Sequence, residues 1–272
     1  YNVNYIHFWD DLSFASAIQA EKFCDAVIKS GLKFKWMATI RVDLFSRARL
    51  SSEDALRVAT KMKECGCYGA GFALESGNKE ILEMMNKKID VDDFYKTVYT
   101  LKKVGIIAQT SIVFGYPQET KETIKETFDQ CFKAGLYPSI GFLLPLPYTV
   151  MYDYAKANGF ITDEDAYLES ITERQDICVN MTKMSNEEIM NEIEVGAERL
   201  NKLLKVGLEK DSYIKSKGYK SQRINKTLEV PQEQNIASLG NKSTVNPKKM
   251  KRNRNDVSFN YSKTDFKFED NS

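Results

Sequence analysis

Five strand-like runs alternate with helical stretches through the first half of the chain, and this alternation constrains the fold more than any other feature. Residues 3 to 9 have a strand pattern. Residues 14 to 30 then place Phe14, Ala17, Ile18, Phe23, Ala26 and Val27 at helical spacing before Gly31. The unit repeats. A strand at 34–40 is followed by a helix that Ser51 can cap, with Asp54 three residues on, and a strand at 69–74 is followed by Ile81-Leu82 and a helix opening near Asp90. A strand at 106–114 leads to a helix from Thr120 to Gly135, and the fifth strand covers 140–144. Each run is largely apolar, as expected of strands buried on both faces, and strands separated by helices predict a parallel sheet covered by helices. The expected fold is α/β, a TIM-like barrel or a partial barrel.

Beyond residue 160 the pattern weakens. One amphipathic helix remains, with Ser185 and Glu188 as its cap and Ile189, Ile193, Gly196, Leu200 and Leu203 as its stripe, to pack outside the barrel or on a partner. Residues 160–184 are expected to line the open side. From Tyr219 onward 11 Lys and Arg face 6 Asp and Glu, which leaves 28 against 32 for the body. That tail has no apolar period and is expected to be disordered, a solvated basic segment in preference to a nucleic-acid arm, since no aromatic platform interrupts the charges. The predicted domains are a partial barrel at 1–160, a helical extension at 161–218 and the tail at 219–272.

With 42% hydrophobic residues the chain can build a sizeable core. No apolar run approaches the roughly 20 residues that cross a bilayer. Cys24, Cys65, Cys67, Cys131 and Cys178 follow neither disulfide nor zinc spacing, which suits buried thiols in a reducing cytoplasm. Cys65-Gly66-Cys67 falls between a helix and a strand, at the end of the sheet opposite the chemistry.

Active sites in such folds lie where strands end at their C-termini. Those positions hold Asp10-Asp11, Arg41 with Asp43, Glu75-Ser76-Gly77, Gly115 to Thr120, and Pro145 to Thr149. Acids, a cation and a glycine loop on one rim suit a zwitterionic, hydroxylated small molecule. Each position also has a plain structural reading. Asp10 or Asp11 could cap the first helix, Glu75 or Ser76 the short one, Lys87 could be an ordinary surface lysine, and Gly115-Tyr116-Pro117 a simple turn. His7, the only histidine, is expected to be a packed strand residue. Tyr148 and Tyr152 fall near the mouth in a chain with 14 tyrosines.

The order Phe8-Trp9-Asp10-Asp11-Leu12-Ser13-Phe14, Arg41-Val42-Asp43, Phe72 to Gly77 with Leu82-Glu83-Met84-Met85-Asn86-Lys87 behind it, Phe114 to Thr120, and Pro145-Leu146-Pro147-Tyr148-Thr149 resembles the radical S-adenosylmethionine (radical SAM) enzymes. The closest likeness is to the subgroup often fused to a cobalamin-binding domain, and it covers roughly residues 1–160. The resemblance implies that Asp10 and Asp11 lie near the amino group of the methionine moiety. It implies that Glu75, with Ser76 beside it, contacts the nucleoside, and that Lys87 pairs with the methionine carboxylate. The Gly115 loop, including Pro117, would pass the adenine, with Val113 supplying backbone contacts. Arg41 matches the subgroup's third-strand arginine, for which no partner is implied.

The family holds a 4Fe-4S cluster through Cys-x-x-x-Cys-x-x-Cys after its first strand, and this sequence has no such motif. Because the first visible strand corresponds to the family's second, the resemblance implies a partial TIM-like (β/α)6 barrel, a fragment missing the first strand, with the ligands upstream. The complete enzyme would then cleave S-adenosylmethionine reductively to a 5′-deoxyadenosyl radical for hydrogen abstraction, or for methyl transfer where cobalamin is present, on an unidentified small-molecule or peptide substrate. A flavodoxin or ferredoxin would supply the electron; the fragment alone would be inactive. Two alternatives stand beside this: a cluster-less homologue that binds a nucleoside or a partner, and an unrelated barrel enzyme using Asp10, Asp11 and Glu75 on a metal or as an acid/base pair.

Overall fold

The computed structural model describes residues 3–47, 50–171 and 177–214; the expected disordered tail lies outside the described residues. Five strands, β1 (Tyr5–His7), β2 (Lys35–Thr39), β3 (Cys67–Glu75), β4 (Ile107–Phe114) and β5 (Ser139–Phe142), form one sheet in sequence order, every pair parallel. Crossovers between parallel strands are right-handed, so a sheet that always grows in one direction puts every crossover helix on one face. The sheet therefore curls as part of a TIM-like barrel and does not form a doubly wound sandwich.

The crossover helices are α1 (Ala17–Ser30), α2 (Ser52–Glu64), the short α3 (Lys79–Met84) followed by α4 (Val91–Lys103), and α5 (Lys121–Ala134). Ser51, Asp90 and Thr120 accept hydrogen bonds from the backbone three residues on, so these caps begin where the sequence places them. On the helical side Trp36 is fully buried against Phe14 and Phe23 and donates Nε1–H to the Cys65 carbonyl at 3.1 Å. Burying such a ring is worth about 1.5–3 kcal/mol. The concave side is lined by Met37, Gly69 and Gly71; Met37 Sδ would lie 3.4 Å from a Cβ at Gly69.

The first unit departs from expectation. β1 has three residues and its side chains are exposed or half-buried, because it lies at the sheet edge and pairs only with β2 among the described residues. His7 is correspondingly exposed on this edge and stacks on Trp9 with ring centroids 5.0 Å apart, so it is not a packed strand residue. Phe14 is not helical. It makes a parallel bridge to Ile40, and Ser16 caps α1 at Ala17.

After β5 come α6 (Val150–Ala157), α7 (Glu164–Ser170) and α8 (Asn186–Leu204). Tyr152, Ala155, Ile161, Tyr167 and Met181 form a satellite core, against which Leu143 from the loop after β5 also packs. α8 has the expected Ser185–Glu188 capping box and lies on α5, where Gly196 is so close to Phe128 that a Cβ would sit 2.2 Å from its ring. Leu203, read as part of the stripe, is exposed, while Ala197 and Asn201 are buried.

Candidate functional site

β3 ends in a register shift opposite Ser111 and Ile112, and Glu75 there has a left-handed backbone, φ 65°. Bulges of this kind gather next to active sites, where they re-aim a side chain. Glu75 accepts a hydrogen bond from Lys87 Nζ at 2.8 Å, across the α3 turn. Lys87 is therefore tied to the rim, and the two groups proposed for opposite ends of one ligand are paired to each other. The capping alternatives for Glu75 and Ser76 fail, since Asn78 caps α3. Ser76 is 1% exposed, and its Oγ accepts from the Asn78 amide at 3.1 Å and lies 3.4 Å from Thr127 Oγ1 on α5.

The β4 loop is built as tightly. Gly115 turns the chain with φ 105°, Pro117 follows, and the Glu119 amide donates to the Tyr116 carbonyl at 2.8 Å. Leu143 leaves β5 beside it, donating its amide to Phe114 O at 2.8 Å, so the loops after β4 and β5 are neighbours. Val113 is half-buried and aligned with Gly141 of β5.

Arg41 has a partner in the structure. Its guanidinium grips Asp43 through both carboxylate oxygens, at 2.7 and 2.9 Å, which raises the Arg41 pKa and folds the loop after β2 on itself. Thr97 on α4 anchors the same loop by donating to the Val42 carbonyl at 2.5 Å. Asp10 and Asp11 are exposed, and since Ser16 caps α1 the capping alternative does not hold for them. The fold brings Asp10-Asp11, Arg41, Glu75-Ser76 with Lys87, and Val113 to Pro117 to the strand C-termini. Contacts join Glu75 to Lys87 and Arg41 to Asp43.

Sequence reasoning placed Glu119 in the rim loop but gave it no role. It is 2% exposed; its Oε1 accepts from Thr123 Oγ1 at 2.5 Å, while Oε2 is buried with no hydrogen-bond partner among the described residues. Burial pushes the carboxyl up to about 7, against the Thr123 hydroxyl and the Gly115 amide, which favour the charged form. Thr120 is the N-cap, so Glu119 occupies the position from which an apolar residue often packs on the one four places into the helix, here the buried Ile124.

The cysteines do not fit an iron–sulfur cluster. Cys24, Cys65, Cys67 and Cys131 are buried, Cys24 and Cys65 touch sulfur to sulfur at 3.0 Å, and no three Cys, His, Asp or Glu among the described residues could hold a metal ion. No helix of the described residues is long and apolar enough to cross a membrane.

Residues 35–131 match the radical SAM superfamily. An uncharacterized methyltransferase of Pyrococcus horikoshii is 31% identical over 162 residues, 59% of this chain and 33% of its own length. A tRNA-2-methylthio-N(6)-dimethylallyladenosine synthase of Clostridium novyi is 42% identical over 72 residues, 24% of this chain and 16% of its own. The chain thus spans a third or less of these relatives. Among solved structures, coproporphyrinogen III oxidase of Escherichia coli, described as a radical SAM enzyme, superposes with a TM-score of 0.51 at 12% identity, covering 74% of this chain and 41% of that one, a likeness of fold.

Proposed function

We propose, because residues 35–131 match the radical SAM superfamily, that this chain forms the part of a radical SAM enzyme that holds the nucleoside and methionine ends of S-adenosylmethionine. The observation that carries the reading is Glu75, a carboxylate re-aimed by a bulge and a left-handed backbone at the end of β3 and braced by Lys87. A strained residue at a strand end marks a position that the surrounding structure holds in place. Glu75 would accept from ribose hydroxyls, and Lys87 would exchange or share its partner with the methionine carboxylate. Asp10 or Asp11 would meet the ammonium group, and Val113 to Pro117 would lie along the adenine. Arg41, engaged by Asp43, would shape the β2 loop.

A 4Fe-4S cluster would supply reducing chemistry to such an enzyme, and its ligands would be residues other than those described here, which fit no cluster. The name of the Pyrococcus horikoshii relative favours methyl transfer as the outcome. Cobalamin, where used, would likewise be held outside these residues.

The test is calorimetric titration of the full chain with S-adenosylhomocysteine, which needs no cluster. Binding is expected, and Glu75→Gln should weaken it about tenfold, the scale of one charge-assisted hydrogen bond. Equal affinity would remove Glu75 from the site. Binding dependent on added Mg, Mn or Zn would favour the metal-dependent alternative.

A further inference from the structure

Three buried polar side chains run as a seam beneath the rim. Glu119 accepts from Thr123 at 2.5 Å, and one helical turn on Thr127 donates to the Thr123 carbonyl at 3.0 Å. Thr127 Oγ1 in turn accepts the Gly77 amide at 2.8 Å and lies 3.4 Å from Ser76 Oγ. Glu119, Thr127 and Ser76 are 2%, 0% and 1% exposed. Gly77 lies flat on the helix, where a Cβ would approach Thr127 Cα to 2.6 Å. One face of α5 therefore registers both the loop after β3 and the loop after β4.

We propose that Glu119 is a positioning residue: as a neutral carboxylic acid it seats the Gly115–Gln118 loop on α5, in register with Ser76–Gly77, in the arrangement that receives the nucleoside. A neutral acid is what the surroundings accept. Among the described residues no cation pairs with Glu119 and its Oε2 has no donor, and an unpaired charge buried in this way is far more costly than an unpaired neutral oxygen. The charged groups on neighbouring elements are committed elsewhere. Lys121 in the first turn of α5 lies 3.6 Å from both Glu188 and Glu192 of α8, Glu122 is held by its own helix end and Thr120, Glu126 accepts from Asn78, and Glu75 pairs with Lys87. None contributes to the shift of Glu119, which comes from burial. Ionisation would release the carboxylate toward water and with it the β4 loop.

The link to ligand rests on the nucleoside reading above; the seam itself does not. Wild-type chain should bind S-adenosylhomocysteine about tenfold more weakly at pH 8 than at pH 6, the change for one group titrating near 7. Glu119→Gln, which stays neutral, should hold its low-pH affinity within twofold across that range, the ligand's own ionisation being common to both proteins. Thr123→Val, which removes a donor that favours the charged form, should move the midpoint upward and serves if the Gln variant fails to fold. An unchanged pH slope in Glu119→Gln, or no slope in the wild type, overturns the proposal. If the ligand does not bind at any pH, the nucleoside reading fails and amide exchange of the free chain decides about the seam. Exchange at Gly77 and Gly115 should then accelerate above pH 7 beyond its intrinsic rise in the wild type and not in Glu119→Gln; parallel profiles overturn the proposal.

Discussion

Glu75 at the end of β3 and Tyr148 just before the Thr149 cap of α6 both adopt left-handed backbones, φ 65° and 67°. Such a conformation costs a non-glycine residue on the order of 1–3 kcal/mol. At Glu75 the side chain gains Lys87. At Tyr148 the side chain is fully exposed, and the turn is fixed by others: the Thr149 hydroxyl donates to Leu146 O at 2.7 Å, and Tyr167 reaches Pro145 O at 2.5 Å. Tyr148→Gly should therefore raise the unfolding free energy by about 1 kcal/mol in urea titration, after allowance for the entropy of glycine. A loss of stability would show that the ring has a partner. The left-handed φ at Glu75 was not legible in the sequence, because a bulge depends on the register of two strands far apart in the chain. The burial of Glu119 was not legible either, since the position before an N-cap is buried at Glu119 and exposed at Tyr148, ahead of the Thr149 cap.

Helices show where sequence suffices. The caps at Ser51, Asp90, Thr120 and Ser185 are decided within four residues, and all four start their helices as expected. Asp90→Ala should cost about 1 kcal/mol, since it removes a reciprocal box with Asp93, and thermal unfolding would record it. β1 was misread, and the satellite core of α6 and α7 was not foreseen, for a physical reason. An edge strand's burial and a satellite core depend on neighbours that no local period reveals. The α5–α8 contact lies between these cases: the stripe was visible, but the meeting of Gly196 with Phe128 was not. Gly196→Ala forces a Cβ into that ring and should destabilise by about 1–3 kcal/mol, the usual cost of overpacking. Amide exchange should then rise in α8 first, because α8 lies outside the sheet; uniform loss across the sheet would mean that α8 belongs to the main cooperative unit.

At the scale of the molecule, the thiols report how the fold is closed. Cys24, Cys67 and Cys131 are buried and their pKa values are raised, Cys67 to about 12; burial is the first cause at Cys67 and Cys131, and the Cys65 contact leads at Cys24. Cys65 is lowered by the same contact with Cys24, yet it is 6% exposed, so its sulfur is shielded by α1 and α2. Cys178 alone is half-buried. Reactivity needs both thiolate and access, so burial on this scale blocks attack whatever the proton affinity of the sulfur. A small maleimide at neutral pH should add one equivalent rapidly, at Cys178, and four more only as the chain unfolds, at a rate that follows global opening. Peptide mass spectrometry distinguishes the sites. Rapid labelling at Cys65 would mean that α1 and α2 part locally in the folded state, and that the Cys24–Cys65 pair is reachable by iron after all. Protection of all four buried sulfurs would place the cluster ligands of the proposed enzyme elsewhere than on this face of the sheet. The curved sheet would then contribute a cofactor rim at the strand C-termini and a sealed thiol layer beneath its helices.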